Sequence, residues 1–330
     1  MSKPKSHVLI VDDEPLVLNS LQNLLEFDYI VHTAQSGAEA LKILAMHPIK
    51  VIMSDQRMPG MMGHEVLREA KRISPSTIRI LLTGYSDLES IINSVNAGEI
   101  FRYINKPWKS EMIMSVFKLG TQIYDRLTQL APVTNFSAPV NKPQETANKI
   151  HIEVEEKSHS VLFVGYEDSD MSNLLRQLQS QYDVYQSASF DDAFNKIARK
   201  PVSVIVSNVE FGQENVFDFL SAVKNEYPEV VTVILTEVVD ANLAIRSINE
   251  LNVFRYLIKP VSQDEFKEVI DRAVAKSQTY KTTPETNLLQ TAKQLAPNIV
   301  ASPSEQESAL RLRLRAAQLA LSKTKPRGST

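Results

Sequence analysis

The chain has 330 residues, a formal net charge of −3, 43% hydrophobic and 23% charged residues. That length suits about two domains, the composition suits ordinary folded domains, and the small charge supplies no global field favouring nucleic acid or a membrane. With no cysteine, disulfides, thiolate chemistry and Cys-based zinc sites are excluded.

The opening MSKPKSHVLIVDDEP holds only a short apolar run that stops at acids. It reads as a strand, not as a signal peptide or membrane span, and a cytoplasmic location is the simplest expectation. Apolar runs at Val8–Val11, Val51–Met53, Ile78–Leu82 and Phe101–Ile104, with a weaker one at Tyr29–Thr33, are rich in Val and Ile and too short for helices. They predict buried strands. Between them, Leu16, Leu18, Leu21, Leu24 and Leu25 fall at helical spacing, as do Ala40, Leu41, Ile43 and Leu44. Val66, Leu67 and Ala70 repeat the pattern, then Leu88, Ile91, Ile92 and Val95. A last helical stretch covers Met112 to Leu127 and has room to run toward Leu130 before Pro132. Strands alternating with helices predict a parallel sheet wrapped on both faces, with chemistry at the carboxyl ends of the strands.

The pattern then repeats. VLIVDDE, VIMSD, ILLTG and FRYINKP are answered by VLFVGYE, VIVSN, VILTE and FRYLIKP. The matched pairs Asp12/Gly165, Asp55/Asn208, Thr83/Thr236 and Lys106/Lys259 are each 153 residues apart. A repeat held in register means two copies of one domain. The expected organisation is a first domain over 6–126, a linker over 127–157, a second domain over 158–279, and a polar linker and basic tail over 280–330. The tail is expected to be partly disordered, with room for a short helix but no domain to pack on.

In the first copy, Asp12 and Asp13 follow the first strand, Asp55 the third, and Thr83 and Lys106 end the fourth and fifth. A parallel sheet aims all five into one crevice. Clustered carboxylates repel, and a hard dication such as Mg²⁺ is the usual remedy. One carboxylate among them can attack phosphorus to give an acyl phosphate, while Lys106 and Thr83 stabilise charge on the transferred group. The Lys106–Pro107 bond is a candidate for the cis form.

This set resembles the receiver domain of bacterial two-component response regulators over about Ser6–Tyr124. The resemblance implies two doubly wound, five-stranded, flavodoxin-like α/β domains. It implies Asp55 as phospho-acceptor, with Asp12, Asp13, Asp55 and the carbonyl of Arg57 holding Mg²⁺. Thr83 and Lys106 would bind the phosphoryl oxygens, and Gly84 would leave the crevice open. Tyr103 matches the aromatic switch that turns inward when Thr83 is drawn to the phosphate. A sensor histidine kinase or phosphotransfer protein is the implied donor, and no enzymatic activity is expected beyond phosphoryl acceptance and hydrolysis.

The second copy resembles a degenerate pseudo-receiver over about Ser158–Thr279. Gly165 and Tyr166 stand where metal ligands belong, and neither offers a carboxylate. Asn208 replaces the nucleophile with an amide that forms no acyl phosphate. Glu237 puts an acid where Gly84 leaves space, and Glu167 and Asp168 are in register with Glu14 and Pro15 instead of with the ligands. Thr236, Tyr256, Lys259 and Pro260 remain, with structural or surface roles.

In receivers, the face made by the last two helices and the fifth strand commonly dimerises. Arg102 and Arg255, with Asp87 and Asp240, suit ion pairs there, joining the two copies or making a homodimer. In the tail, Arg311, Arg313, Arg315, Lys323, Lys325 and Arg327 surround Leu310, Leu312, Leu314, Leu319 and Leu321, and the RLRLR alternation breaks a clean helical stripe. No helix-turn-helix, GGDEF-like or P-loop signature follows either copy, so nucleic acid is not expected as a partner. The expected function is a response regulator switched at Asp55 that signals by protein contacts to a partner the sequence does not name. The alternatives are a DNA-binding regulator acting through the basic tail, or a scaffold or phosphate sink.

Overall fold

Five Val- and Ile-rich runs, each too short to be a helix, pair in parallel in the first half of the chain. They are β1 (Ser6–Val11), β2 (Tyr29–Ala34), β3 (Ile49–Asp55), β4 (Ile78–Thr83) and β5 (Arg102–Asn105), in the order β2-β1-β3-β4-β5. The computed structural model describes residues 4–84, 92, 100–130, 159–166, 168–210, 215–296 and 305–324. Helices α1 (Pro15–Leu25), α2 (Gly37–Met46), α3 (Gly63–Ile73) and α4 (Ser110–Leu130) flank the sheet. Two of the starts have a local cause: Pro15 opens α1, and the Ser36 hydroxyl accepts from the Glu39 N–H at α2. The predicted helical stretch at Leu88, Ile91 and Val95 lies outside the described residues. Ile92 alone is described there, helical and buried.

The second half repeats this frame with β6 (Ser160–Val164), α5 (Asp168–Gln179), β7 (Asp183–Ser187), α6 (Phe190–Arg199) and β8 (Val202–Ser207). It continues with α7 (Val216–Glu226), β9 (Val231–Thr236), α8 (Ala241–Asn249), β10 (Arg255–Ile258) and α9 (Gln263–Thr282). Its strand order, β7-β6-β8-β9-β10, is that of the first sheet. Even the register shift recurs, at His7/Val8 and at Ser160/Val161. Every residue of β4, β8 and β9 is buried, and these strands are accordingly rich in Val, Ile and Leu, with Arg79 of β4 and a few Ser and Thr buried among them. The chain is therefore two doubly wound, five-stranded parallel α/β domains, as the repeat predicts. Among the described residues, no helix is long and apolar enough to cross a membrane.

The segment after the second domain departs from expectation. A 3-10 turn at Pro284–Thr286 leads into α10 (Leu288–Leu295), which packs on α4. Ala292 is buried in the first domain's core with Phe117 and Ile123. The same helix holds the second domain through Lys293 Nζ to Asn225 Oδ1 (2.5 Å), and Asn287 Nδ2 just before it donates to the Pro228 carbonyl (2.7 Å).

Then α11 (Glu305–Thr324) lies across α6 and α7. The tail thus has a domain to pack on, which corrects the sequence reading. Leu310 and Leu314, one turn apart, are buried, and Arg311 and Arg315 reach Glu226 at 3.2 and 2.8 Å while Arg313 reaches Asp191 at 2.7 Å. Burial pushes the Glu226 carboxyl up, but Arg315 and Arg311 outweigh it and hold the group below its ordinary value. The side chains of Leu321, Lys323, Lys325 and Arg327 lie outside the described residues.

Where the two domains meet, Ile100 and Tyr103 face Ile248 and Val253 across a cavity of about 370 Å³. Lys71, Arg79, Lys224, Arg255, Arg272 and Lys276 also line it, and no described carboxylate does.

Candidate functional site

β1 delivers Asp12 into the crevice at the carboxyl ends of the strands, where the carboxylate is only 1% exposed. Its Oδ1 accepts the Glu14 N–H (2.9 Å), and its Oδ2 lies 3.1 Å from Lys106 Nζ. The same ammonium is 2.5 Å from Asp55 Oδ1, at the end of β3. Asp55 Oδ2 accepts the backbone N–H of Arg57 at 2.6 Å. Lys106 thus bridges two buried carboxylates that the sequence places 43 residues apart.

The electrostatics follow from that sharing. Burial raises the Asp12 carboxyl; the Glu14 amide and Lys106 oppose the rise, and Asp55 adds to it. For Lys106, burial disfavours the charge, but Asp55 and Asp12 more than compensate and its value is raised. One ammonium faces two carboxylates, and half-buried Asp13 follows directly in the chain. An oxygen-rich set with surplus negative charge is what a hard dication takes, so the residues present fit one.

Thr83 closes β4, and its hydroxyl donates to the Gly84 carbonyl at 3.1 Å. A Cβ at Gly84 would meet nothing within 4 Å among the described residues. Gly63 plays a part that sequence reading missed. A Cβ there would lie 2.0 Å from the Asp55 carbonyl oxygen, so only glycine lets the start of α3 pass beneath Asp55.

The model of the response regulator receiver domain family matches residues 8–118 and 167–271, more than half of the chain. The chain belongs to that family. Receivers of this family take phosphoryl groups from histidine kinases or phosphotransfer proteins and are generally Mg²⁺-dependent.

Among curated relatives, the hydrogenase transcriptional regulatory protein HoxA of Cupriavidus necator is 39% identical over 122 residues, 37% of this chain and 25% of that protein. The transcriptional regulatory protein GlrR of Escherichia coli is 32% identical over 136 residues, 41% of this chain and 29% of that protein. The matches thus span between a quarter and a third of these relatives' length. Among solved structures, a response regulator receiver domain protein from Clostridium thermocellum is 33% identical, covering 37% of this chain and 98% of that one at a TM-score of 0.35.

The second receiver has a plugged version of the crevice. Gly165, in the place of Asp12, adopts φ of +83°, a conformation L side chains rarely take. Tyr166, in the place of Asp13, donates its hydroxyl to the Leu235 carbonyl (2.5 Å), and burial pushes its phenol well above the ordinary value. Lys259 stands 5.2 Å from the centre of that ring and 3.7 Å from Glu237. Asn208 accepts the Val209 N–H at 2.8 Å. An aromatic ring and a neutral amide occupy the ground held by three acids in the first receiver. Both Lys-Pro bonds, Lys106–Pro107 and Lys259–Pro260, are cis.

Tyr103 and its counterpart Tyr256 differ as well. Tyr256 is fully buried, its hydroxyl donating to the Val238 carbonyl at 3.1 Å. Tyr103 instead lines the cavity between the receivers. Its backbone N–H donates to Asn249 Oδ1 and its carbonyl accepts from Asn249 Nδ2, both at 3.0 Å. Arg102 donates to the Asn249 carbonyl.

β5 is therefore the surface on which the first receiver meets the second, and among the described residues Asp240 and Arg255 form no ion pair there. Asp87 lies outside the described residues, Asp240 caps α8 through the Leu243 N–H (2.9 Å), and Arg255 stacks on Phe254 (4.4 Å) and donates to its carbonyl. Asn249 gave no signal in the sequence, because an edge-strand contact is visible only once both domains are placed.

Proposed function

We propose that the chain is a phosphorylation-switched response regulator in which the first receiver takes the signal at Asp55 and the second, inert to phosphate, reads it. The observation that carries this is Lys106 bridging Asp12 and Asp55 at 3.1 and 2.5 Å, beside Asp13 and Thr83. An Asp55 carboxylate oxygen attacks the phosphorus of a phosphohistidine. The new P–O bond forms as the P–N bond breaks, and the imidazole leaves with a proton. Asp12, Asp13, Asp55 and the carbonyl of Arg57 would hold Mg²⁺, which neutralises charge on the carboxylates and the phosphoryl oxygens. Lys106 shifts from sharing its charge between two acids to pairing with the phosphoryl group, and Thr83 exchanges the Gly84 carbonyl for a phosphoryl oxygen.

That movement of Thr83 opens space for the Tyr103 ring. Because the Tyr103 backbone is held by Asn249, a turn of this residue changes the contact between receivers, a two-state element biased by one charge change. The chemistry is limited to phosphoryl acceptance and hydrolysis of the acyl phosphate. A DNA-binding role for the tail has less support, since Arg311, Arg313 and Arg315 are already committed to Glu226 and Asp191.

The test treats the full chain with acetyl phosphate and Mg²⁺ and reads the intact mass. Wild type should gain one phosphoryl group and Asp55→Asn none. A wild-type chain that gains none removes the acceptor reading. Equal partner capture by beryllofluoride-treated wild type and Asp55→Asn removes the switch.

A further inference from the structure

At the opposite end of the first sheet, far from the crevice in the frame, three of the chain's six histidines converge. His7 is near the start of β1, His32 is on β2, and His47 closes α2. Leu9 pairs with His32, so His7 and His32 share the sheet face on which Leu9, Ala34, Ala40 and Leu44 form a core under α2. One ring nitrogen from each histidine lies within 4.8 Å of the other two. His7 Nδ1 and His32 Nε2 are 2.9 Å apart, one ring N–H donating to the bare nitrogen of the other. The His32 and His47 ring centres are 4.3 Å apart. All three side chains are half-buried, held by the fold yet reachable from solvent.

We propose that His7, His32 and His47 form a binding site for a borderline first-row dication, with Zn²⁺ as its representative and a fourth position left to solvent. Imidazole nitrogens suit such ions, and three of them with an open position make a complete protein ligand set. Protonated imidazoles so close together would repel. Burial first, then His47 and His7, hold His32 below its ordinary value, the direction that favours a ligating ring. The last turn of α2 adds its partial negative charge and carries no basic residue of its own.

The second receiver supplies an internal comparison. The positions 153 residues on are Ser160, Tyr185 and Lys200. Leu162 pairs with Tyr185 as Leu9 pairs with His32, and Lys200 closes α6 as His47 closes α2. Lys200 Nζ stands 5.6 Å from the Tyr185 ring centre. The frame thus seats a lysine at this place in one copy, and a cluster of imidazoles in the other. The histidines are not needed to build this end of the sheet, since the twin does without them.

The test uses the tag-free full chain, freed of metal, titrated with Zn²⁺ by calorimetry and with Co²⁺ by absorption. The variants are His7→Ser, His32→Tyr and His47→Lys, singly and together, each taking the residue of the second receiver. Wild type should bind one equivalent, show the intense absorption of tetrahedral Co²⁺, and melt higher with Zn²⁺ present. Each single variant should weaken binding by at least about tenfold, and the triple variant should lose the Co²⁺ spectrum. If a strand variant fails to fold, His47→Lys at the helix end carries the comparison. Zn²⁺ binding equal in wild type and His47→Lys, or no binding by wild type, overturns the site.

Discussion

The side-chain amide of Asn249 pairs with the backbone of Tyr103 as a neighbouring strand would, donating to its carbonyl and accepting its N–H at 3.0 Å each. β5 is an edge strand, and its outward polar groups need partners. The second receiver satisfies them at Tyr103. Replacing Asn249 with Ala leaves a buried N–H and carbonyl without that partner, a cost of about 1–3 kcal/mol. Hydrogen exchange at the Tyr103 amide should quicken in Asn249→Ala while amides in β1 and β3 stay protected. Unchanged exchange at Tyr103 would show that Asn249 does not hold the edge.

Gly63 is fixed by the 2.0 Å that would separate its Cβ from the Asp55 carbonyl. Gly63→Ala must push α3 away from β3, at a cost of about 1–3 kcal/mol. Because the displaced atoms belong to the acceptor residue, phosphorylation by acetyl phosphate should slow as well. A variant that is destabilised but phosphorylated at the wild-type rate would make Gly63 a packing residue only.

Leu314 is fully buried where α11 crosses α6 and α7. Leu314→Ala should destabilise the second receiver by about 2–5 kcal/mol, the range for a buried leucine truncated in a packed core. Leu312→Ala, two residues away on an exposed side chain, should cost under about 0.5 kcal/mol. Urea denaturation of the two variants distinguishes a docked helix from a loose tail, since a loose tail makes them equal.

Lys224 sits at the end of α7, 8% exposed, with the Asn252 carbonyl 3.4 Å from its Nζ. Burial, then Lys293, pulls its value from 10.5 to about 7. The folded value lies below the unfolded one, so the unfolded chain binds more protons between the two. Stability should therefore rise with pH across that window, the penalty being fully present below pH 7. Lys71, lowered by burial and then by Arg79 to about 8, acts with the same sign. Thermal melts should show Lys224→Met more stable than wild type at neutral pH, with a shallower rise toward alkaline pH. A slope unaltered by Lys224→Met would place the titration elsewhere.

The frame was legible because its signals are local. Val- and Ile-rich runs, helical spacing and the 153-residue offset locate both sheets, and Asp12, Asp55 and Lys106 meet where the strand ends put them. What escaped depends on contacts between distant pieces. Leu310 and Leu314 lie one turn apart, but the RLRLR alternation hid their stripe. Leu288, Ala292 and Leu295 are a second such stripe inside a segment that composition marks as polar. Asn249 becomes functional only against the edge of another domain. His7, His32 and His47 are separated by 25 and 15 residues, and only the pairing of β1 with β2 under α2 brings them together.

α10 leaves the second receiver and buries Ala292 against Phe117 and Ile123 of the first, so the two bodies are joined by more than the 131–158 segment. Cleaving the backbone anywhere within that segment would leave the halves together, held through a helix that belongs to one and is seated on the other. On the proposed reading, a rearrangement that follows phosphorylation at Asp55 would take place on a leash: if β5 and α8 part, they do so at a local concentration set by α10 and not by dilution. Return after dephosphorylation would then be a short intramolecular step, which favours a signal that resets quickly over one that assembles from separate pieces.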